Sequence, residues 1–131
     1  APPTGCLTRL SFAKAPVVCG TGFHEVAPRK SDYALASAAA QINFTAGSGV
    51  TSIHLGVGSV GDFPERLDVD LLCGTPVDDA AITDAVHAAM QMVETVEDLH
   101  ATAAYRKRVA TELAIRALRD ARDEISKDLN Q

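Results

Sequence analysis

Residues 33–57, YALASAAAQINFTAGSGVTSIHLGV, decide the fold, because composition and period disagree across their first half. Five alanines between Ala34 and Ala40 favour a helix, since alanine has the highest intrinsic helix propensity. Yet Ala34, Ala36, Ala38, Ala40, Ile42 and Phe44 recur at period two, opposite Ser37, Gln41 and Asn43, and period two is the signature of a strand with one buried face. The period predicts a strand over 33–44, with small residues on one face that let a helix pack close to the sheet. AGSG at 46–49 supplies a hairpin turn. Val50 to Val57 then forms a second strand, with Ile53, Leu55 and Val57 on one face and Ser52, His54 and Gly56 on the other.

Working outward, LTRLSF at 7–12 alternates in the same way and predicts an edge strand, closed off by Pro16 and Gly20. Downstream the spacing becomes helical. Pro64 opens a short predicted helix running through Leu72, and Gly74-Thr75-Pro76 punctuates it. Asp78 and Asp79 cap a second, in which Ile82, Ala85, Val86, Ala89 and Val93 share one face. A third runs from about Thr102 to Ile125, with Tyr105, Val109, Leu113, Ala117 and Ala121 along a seam. Strands first and helices after predict an α+β domain: an antiparallel sheet of three to four strands, covered on one face by three helices. The expected division within a single domain 1–131 is a flexible lead-in over 1–6, a mainly sheet part over 7–61 and a mainly helical part over 62–131.

The chain has 131 residues, 47% of them hydrophobic, and a formal net charge of −5. That length and composition suit one globular core. The negative balance argues against nucleic acid as a partner, and no stretch approaches the roughly 18 apolar residues of a membrane span. Cys6, Cys19 and Cys73 are odd in number and far apart, so reduced thiols in a cytoplasmic protein are expected. The first residues, APPTG, show no signal-peptide pattern. Charge also splits along the sequence: 62–98 is nearly all acidic, whereas 105–127 is rich in Arg and Lys. The last helix is therefore expected to pair with acidic neighbours.

Three blocks, in order and spacing, carry a family resemblance. The first is Phe23, Glu25, Val26, Ala27, Arg29, Asp32, Tyr33 and Ala34; the second is Gly56, Gly58 and Gly61, then Arg66 and Leu72-Cys73-Gly74; the third is Asp98, Ala101, Thr102, Tyr105, Arg106, Ala110, Leu113, Arg116, Ala117 and Leu118. Together they resemble the C-terminal domain of the FAD-carrying, medium subunit of molybdenum hydroxylases, the carbon monoxide dehydrogenase and xanthine dehydrogenase flavoprotein family. Pro28 stands where that family usually has the first Arg of a pair, and Ser31 where it has Gly.

The resemblance implies a structural or accessory domain, or a split subunit. Such a unit packs on FAD-binding domains and other subunits of an enzyme in which electrons pass from molybdenum and iron-sulfur centres to FAD. It further implies Glu25, Arg29, Asp32 and Tyr33 as the residues nearest the flavin, on and after a strand, with a structural ion pair as the competing role for Arg29 and Asp32. FAD is expected in the parent assembly only. GVGSVG at 56–61 lacks the G-x-G-x-x-G spacing and a basic residue for phosphate, so it reads as tight turns and close packing.

No self-contained catalytic or metal set is legible. His24, His54, His87 and His100 have no shared ligand spacing, and no nucleophile elbow surrounds Ser52 in a Ser52, His54, Asp62 grouping. Tyr105 and Arg106 are expected to fasten the last helix, Tyr105 packed with its hydroxyl bonded and Arg106 paired to Glu97 or Asp98. Met90 and Met92 read as core filler and surface. The alternative function is a free-standing relative, without FAD domains, that binds or transforms a small-molecule ligand in a cleft between sheet and helices.

Overall fold

A computed structural model describes residues 5–12, 14 and 18–129. Its sheet has four antiparallel strands in sequential order: β1 (Cys19–Val26), β2 (Ala36–Thr45), β3 (Gly49–Gly58) and β4 (Glu65–Leu67). Two α-helices follow, α1 (Asp79–Gln91) and α2 (Ala103–Asp128), with a single 3-10 turn at Asp70–Leu72 before them. The α+β architecture agrees with the sequence pattern. The expected third helix does not form.

The alanine-rich segment is a strand, and period two decides it. Ala36, Ala38, Ala40 and Ile42 of β2 are buried against the helices, beside Ile53, Leu55 and Val57 of β3. The register sets Ala38 opposite Val57, Ala40 opposite Leu55 and Ile42 opposite Ile53, so the apolar positions of neighbouring strands share one face. Beneath them α2 contributes Ala110, Ala114, Ala117, Leu118, Ala121 and Ile125. Alanine against alanine brings the 26-residue helix down onto β2. On β1 the approach is closer still, because Gly20 and Gly22 lie directly under the carbonyls of Ala121 and Ala117.

Three expectations are corrected here. Residues 7–12 form no strand: Leu7, Leu10 and Phe12 stand well exposed. The first strand is β1, and Gly20 lies inside it rather than ending an element; Pro16 falls outside the described residues, as do 1–4 of the expected lead-in. Between Pro64 and Leu72 the chain pairs with β3 instead of coiling, setting Leu67 opposite Leu55 and Arg66 opposite Gly56. Leu67 thereby extends the buried apolar face of the sheet, and only Asp70–Leu72 turns helically.

Helix caps follow the sequence signals. The side chain of Asp78 accepts from the Ala81 amide at the start of α1, and that of Thr102 accepts from the Tyr105 amide at the start of α2. Asp79 receives Arg122 at 2.6 Å and Arg119 at 3.4 Å, tying the two helices together. These cations lower the Asp79 carboxyl pKa, the Arg122 hydrogen bond being the main cause, with burial opposing it.

Along the outer edge of β1, the Thr21 amide donates to the Glu124 carboxylate at 2.6 Å. His24 meets Asp120 at 2.8 Å on the same side. Met90 is buried and Met92 exposed, and all three cysteines are free thiols. No helix among the described residues is long and apolar enough to cross a membrane.

Candidate functional site

At one end of the sheet three connections converge: 27–35 between β1 and β2, 59–64 between β3 and β4, and 92–102 between the helices. Arg106, in the first turns of α2, joins them. Its Nη1 donates to the Leu35 carbonyl at 2.6 Å and to the Ser59 carbonyl at 2.8 Å, while Nη2 donates to Asp98 at 2.6 Å. The side chain is almost wholly buried, and Nε has no partner among the described residues. Leu35 directly after the first sequence block, Ser59 within the span of the second and Asp98 of the third therefore meet at a single guanidinium.

The sequence builds this junction locally. Asp98 Oδ1 accepts from the His100 and Ala101 amides, forming a tight turn that leads into the Thr102 cap. With Oδ1 so occupied, Oδ2 remains for Arg106 eight residues on. The His100 amide first, then the Arg106 guanidinium and the Ala101 amide, hold the Asp98 carboxyl down at a pKa of about 2, with desolvation opposing them. Asp98, rather than Glu97, is the partner of Arg106.

Tyr105 differs from expectation. It is only partly buried, its hydroxyl has no hydrogen bond among the described residues, and Arg108 stacks 5.7 Å from its ring centroid. Arg106 occupies the buried position instead: Leu113, Ala117 and Ala121 of the predicted seam are buried, but in the first turns of α2 the buried positions are 106 and 110 rather than 105 and 109. The helix is still fastened at this point, by the arginine.

The four residues implied by the resemblance lie on one side of the junction, all of them exposed. Glu25 is on β1, facing away from the helices. Arg29 and Asp32 bracket a turn closed by the Asp32 amide donating to the Arg29 carbonyl, and the Asp32 carboxylate accepts from the Tyr33 amide. Tyr33 is 93% exposed. Neither Arg29 nor Asp32 forms an ion pair among the described residues. Asp32, Tyr33 and Arg106 share the wall of a cavity of about 330 Å³. Ser31 and Ser59, at the crests of two of the loops, have left-handed backbones with φ of 67° and 62°. The usual glycine at position 31 was the sequence signal for the first of these.

The GVGSVG segment is not a helix-backed phosphate loop. Gly56 and Gly58 belong to β3, and GVGSVG leads into a strand, so no helix N-terminus stands behind it to meet a pyrophosphate. The N-termini of α1 and α2 are capped by their own Asp78 and Thr102. Among the described residues no three His, Cys, Asp or Glu side chains gather to hold a metal ion. Between sheet and helices a cavity of about 250 Å³ is lined chiefly by apolar side chains such as Ile42, Phe44 and Ile125, and its guanidinium, Arg122, is already engaged by Asp79.

Comparison with known proteins gives a consistent result. The family described as CO dehydrogenase flavoprotein C-terminal domain matches residues 21–121. Among solved structures, reconstituted CO dehydrogenase from Oligotropha carboxidovorans is similar at 26% identity and a TM-score of 0.74, covering 83% of this chain. Quinoline 2-oxidoreductase from Pseudomonas putida 86 is similar at 26% identity and a TM-score of 0.71, covering 84%. Carbon monoxide dehydrogenase from Hydrogenophaga pseudoflava, in a form lacking the Mo-pyranopterin moiety of the molybdenum cofactor, shares the fold at 23% identity and a TM-score of 0.75. The chain spans only 38 to 39% of the length of these solved chains. No curated protein sequence matches it significantly.

Proposed function

Because the chain belongs to the CO dehydrogenase flavoprotein C-terminal domain family, we propose that it serves as the C-terminal structural domain, or a split subunit, of a molybdenum hydroxylase flavoprotein. In this role it packs on the FAD-binding part of that protein and shapes the surroundings of the flavin, which receives electrons from molybdenum and iron-sulfur centres elsewhere in the assembly. The observation that carries the reading is that buried Arg106, in the third family block, bonds Asp98 of that block, the Ser59 carbonyl within the second and the Leu35 carbonyl directly after the first, and so ties their loops together. Glu25, Arg29, Asp32 and Tyr33 are the side chains offered to the flavin side. A cytoplasmic location is part of the proposal.

The chain's own residues order a surface, and the redox chemistry resides in groups held by its partners. The test is a chimera in which this chain replaces the C-terminal domain of a CO dehydrogenase flavoprotein, compared with the isolated chain. The chimera should purify with bound FAD and the isolated chain without it. Stoichiometric FAD on the isolated chain, or a folded chimera that cannot retain the flavin, overturns the reading.

A further inference from the structure

The loops that Arg106 gathers carry large apolar side chains into solvent. Tyr33 is 93% exposed, Phe63 77%, Val96 43% and Leu99 fully. Single exposed apolar residues are ordinary, whereas a contiguous group marks an interaction surface. Tyr33, Val96 and Leu99 adjoin one another, and Phe63 stands on the neighbouring 59–64 loop. The Val96 amide donates to the Val60 carbonyl at 2.9 Å, which pins the 92–102 connection against the 59–64 loop. Tyr33, Val96 and His100 line one cavity; the cavity beside it lies under Leu99 and shares Leu35, Asp98 and His100 with the first.

Around Phe63, Val96 and Leu99 the charge is acidic, whereas Arg29 and Lys30 stand exposed on the Tyr33 loop. Asp62, Glu94 and Glu97 flank Phe63, Val96 and Leu99, and none of the three carboxylates meets a cation among the described residues. From 62 to 99 Arg66 is the sole Lys or Arg, and it pairs with Asp70. The loops are also held before any partner arrives, because the buried guanidinium bonds two of their carbonyls and Asp98. Preordered loops lose little entropy on docking.

The uncovered face of the sheet is the competing location. It exposes one large apolar side chain, Phe23, at 62%. Much of the remainder is small or polar: Ala39 and Gly56, and a ladder in which Gln41 donates to Asn43 and Asn43 to Ser52. That face supplies neither an apolar cluster nor a run of unpaired charge.

We infer that the end of the domain bearing Tyr33, Phe63, Val96 and Leu99 is a docking surface for a protein partner with an apolar centre and Lys/Arg side chains where it meets Asp62, Glu94 and Glu97. Resting on the reading above, the partner is the FAD-binding part of the flavoprotein. The matched solved chains are long enough to contain it, since this domain accounts for only 38 to 39% of each. Complementary charge around an apolar centre speeds encounter and fixes orientation.

The probe is a CO dehydrogenase flavoprotein ended before its C-terminal domain and loaded with FAD, titrated with this chain by calorimetry at low and high salt. The wild-type chain should bind, more weakly as salt rises. Leu99→Glu and Phe63→Glu should each weaken binding by about tenfold or more, Glu97→Lys should weaken it and flatten the salt dependence, and Phe23→Glu should stay within about twofold of wild type. Thermal melts of each variant establish that it is folded. If Phe23→Glu abolishes binding while the loop variants bind normally, the surface is wrong and the family role stands. If the wild-type chain does not bind at all, the family role falls, and the choice of partner with it.

Discussion

Gly22 of β1 lies directly beneath Ala117 of α2, so close that a β-carbon built on the glycine would stand 2.8 Å from the Ala117 Cα and nearer still to its carbonyl oxygen. Backbone rests on backbone here, and no side-chain rotation can make room. Gly22→Ala should therefore push α2 away from the sheet and destabilise the domain by about 1 to 3 kcal/mol or more. Gly20→Ala, under Ala121, should behave alike. Chemical denaturation reads the loss, and an unchanged midpoint would contradict the close approach.

Ser31 holds a left-handed backbone with φ of 67°, a conformation that costs a residue with a β-carbon about 1 to 2 kcal/mol. Ser31→Gly should relieve the strain and stabilise by about 1 kcal/mol, less whatever the greater freedom of glycine in the unfolded chain takes back. A higher melting temperature is the expected result. A lower one would mean that the serine side chain contributes something the structure does not show.

Removing the guanidinium of Arg106 leaves the Leu35 and Ser59 carbonyls without their donor. Arg106→Met preserves most of the packing volume and should still cost about 2 to 5 kcal/mol, since each buried acceptor left unpaired costs about 1 to 3 kcal/mol. Amide hydrogen exchange should rise in 27–35 and 59–64 before it rises in β2 and β3. Uniform exchange across the domain would show that Arg106 does not hold these loops in particular.

The Asp98 carboxyl titrates at about 2, below the ordinary 3.8. A carboxylate with a depressed folded pKa contributes stability in full above its unfolded value, and that contribution disappears as pH falls through the folded one. The contribution of Asp98 is thus complete above pH of about 4 and lost towards pH 2. Carbon-detected NMR should place its midpoint near 2 in the wild type. In Arg106→Met the midpoint should rise yet stay below 3.8, because the His100 and Ala101 amides still bond Oδ1. A return to 3.8 would assign the whole shift to the arginine.

Tyr105 is only partly buried and its hydroxyl is unbonded among the described residues. Tyr105→Phe should be neutral within about 0.5 kcal/mol, as for a surface change. Tyr105→Ala should cost less than the 3 to 5 kcal/mol typical of a fully buried aromatic. Equilibrium unfolding of the two variants tests both statements.

Much of the fold was legible because period two survives a run of alanines: Ala36, Ala38, Ala40 and Ile42 occupy the face that the alternation assigned to them. The Asp78 and Thr102 caps and the path of α2 were legible for a similar reason, since helix ends carry their own chemistry. β1 was not. Only the family resemblance put Glu25 on a strand; by composition Gly20 reads as a breaker, and glycines become strand residues here because α2, nearly a hundred residues later, lies on them. β4 was missed likewise, because three residues carry too little period to oppose a leading proline. At the junction, the arginine and its acid were visible as a spacing of eight, whereas the Leu35 and Ser59 carbonyls are backbone groups that any sequence would possess. The burial of Arg106 in place of Tyr105 in the first turns of α2 follows from packing against the sheet and left no mark in the helix's own composition, whereas Leu113, Ala117 and Ala121 are buried as their spacing predicts.

β1 ends the sheet, and strands at such positions invite their counterparts in neighbouring molecules to add on. One outward amide of β1 is already taken by the Glu124 carboxylate. A newcomer aligned along this border would have to displace that carboxylate and then cover its charge, and burying an uncompensated charge is strongly unfavourable. The far end of the long helix, through Glu124, thereby makes this border of the sheet unfavourable for an added strand.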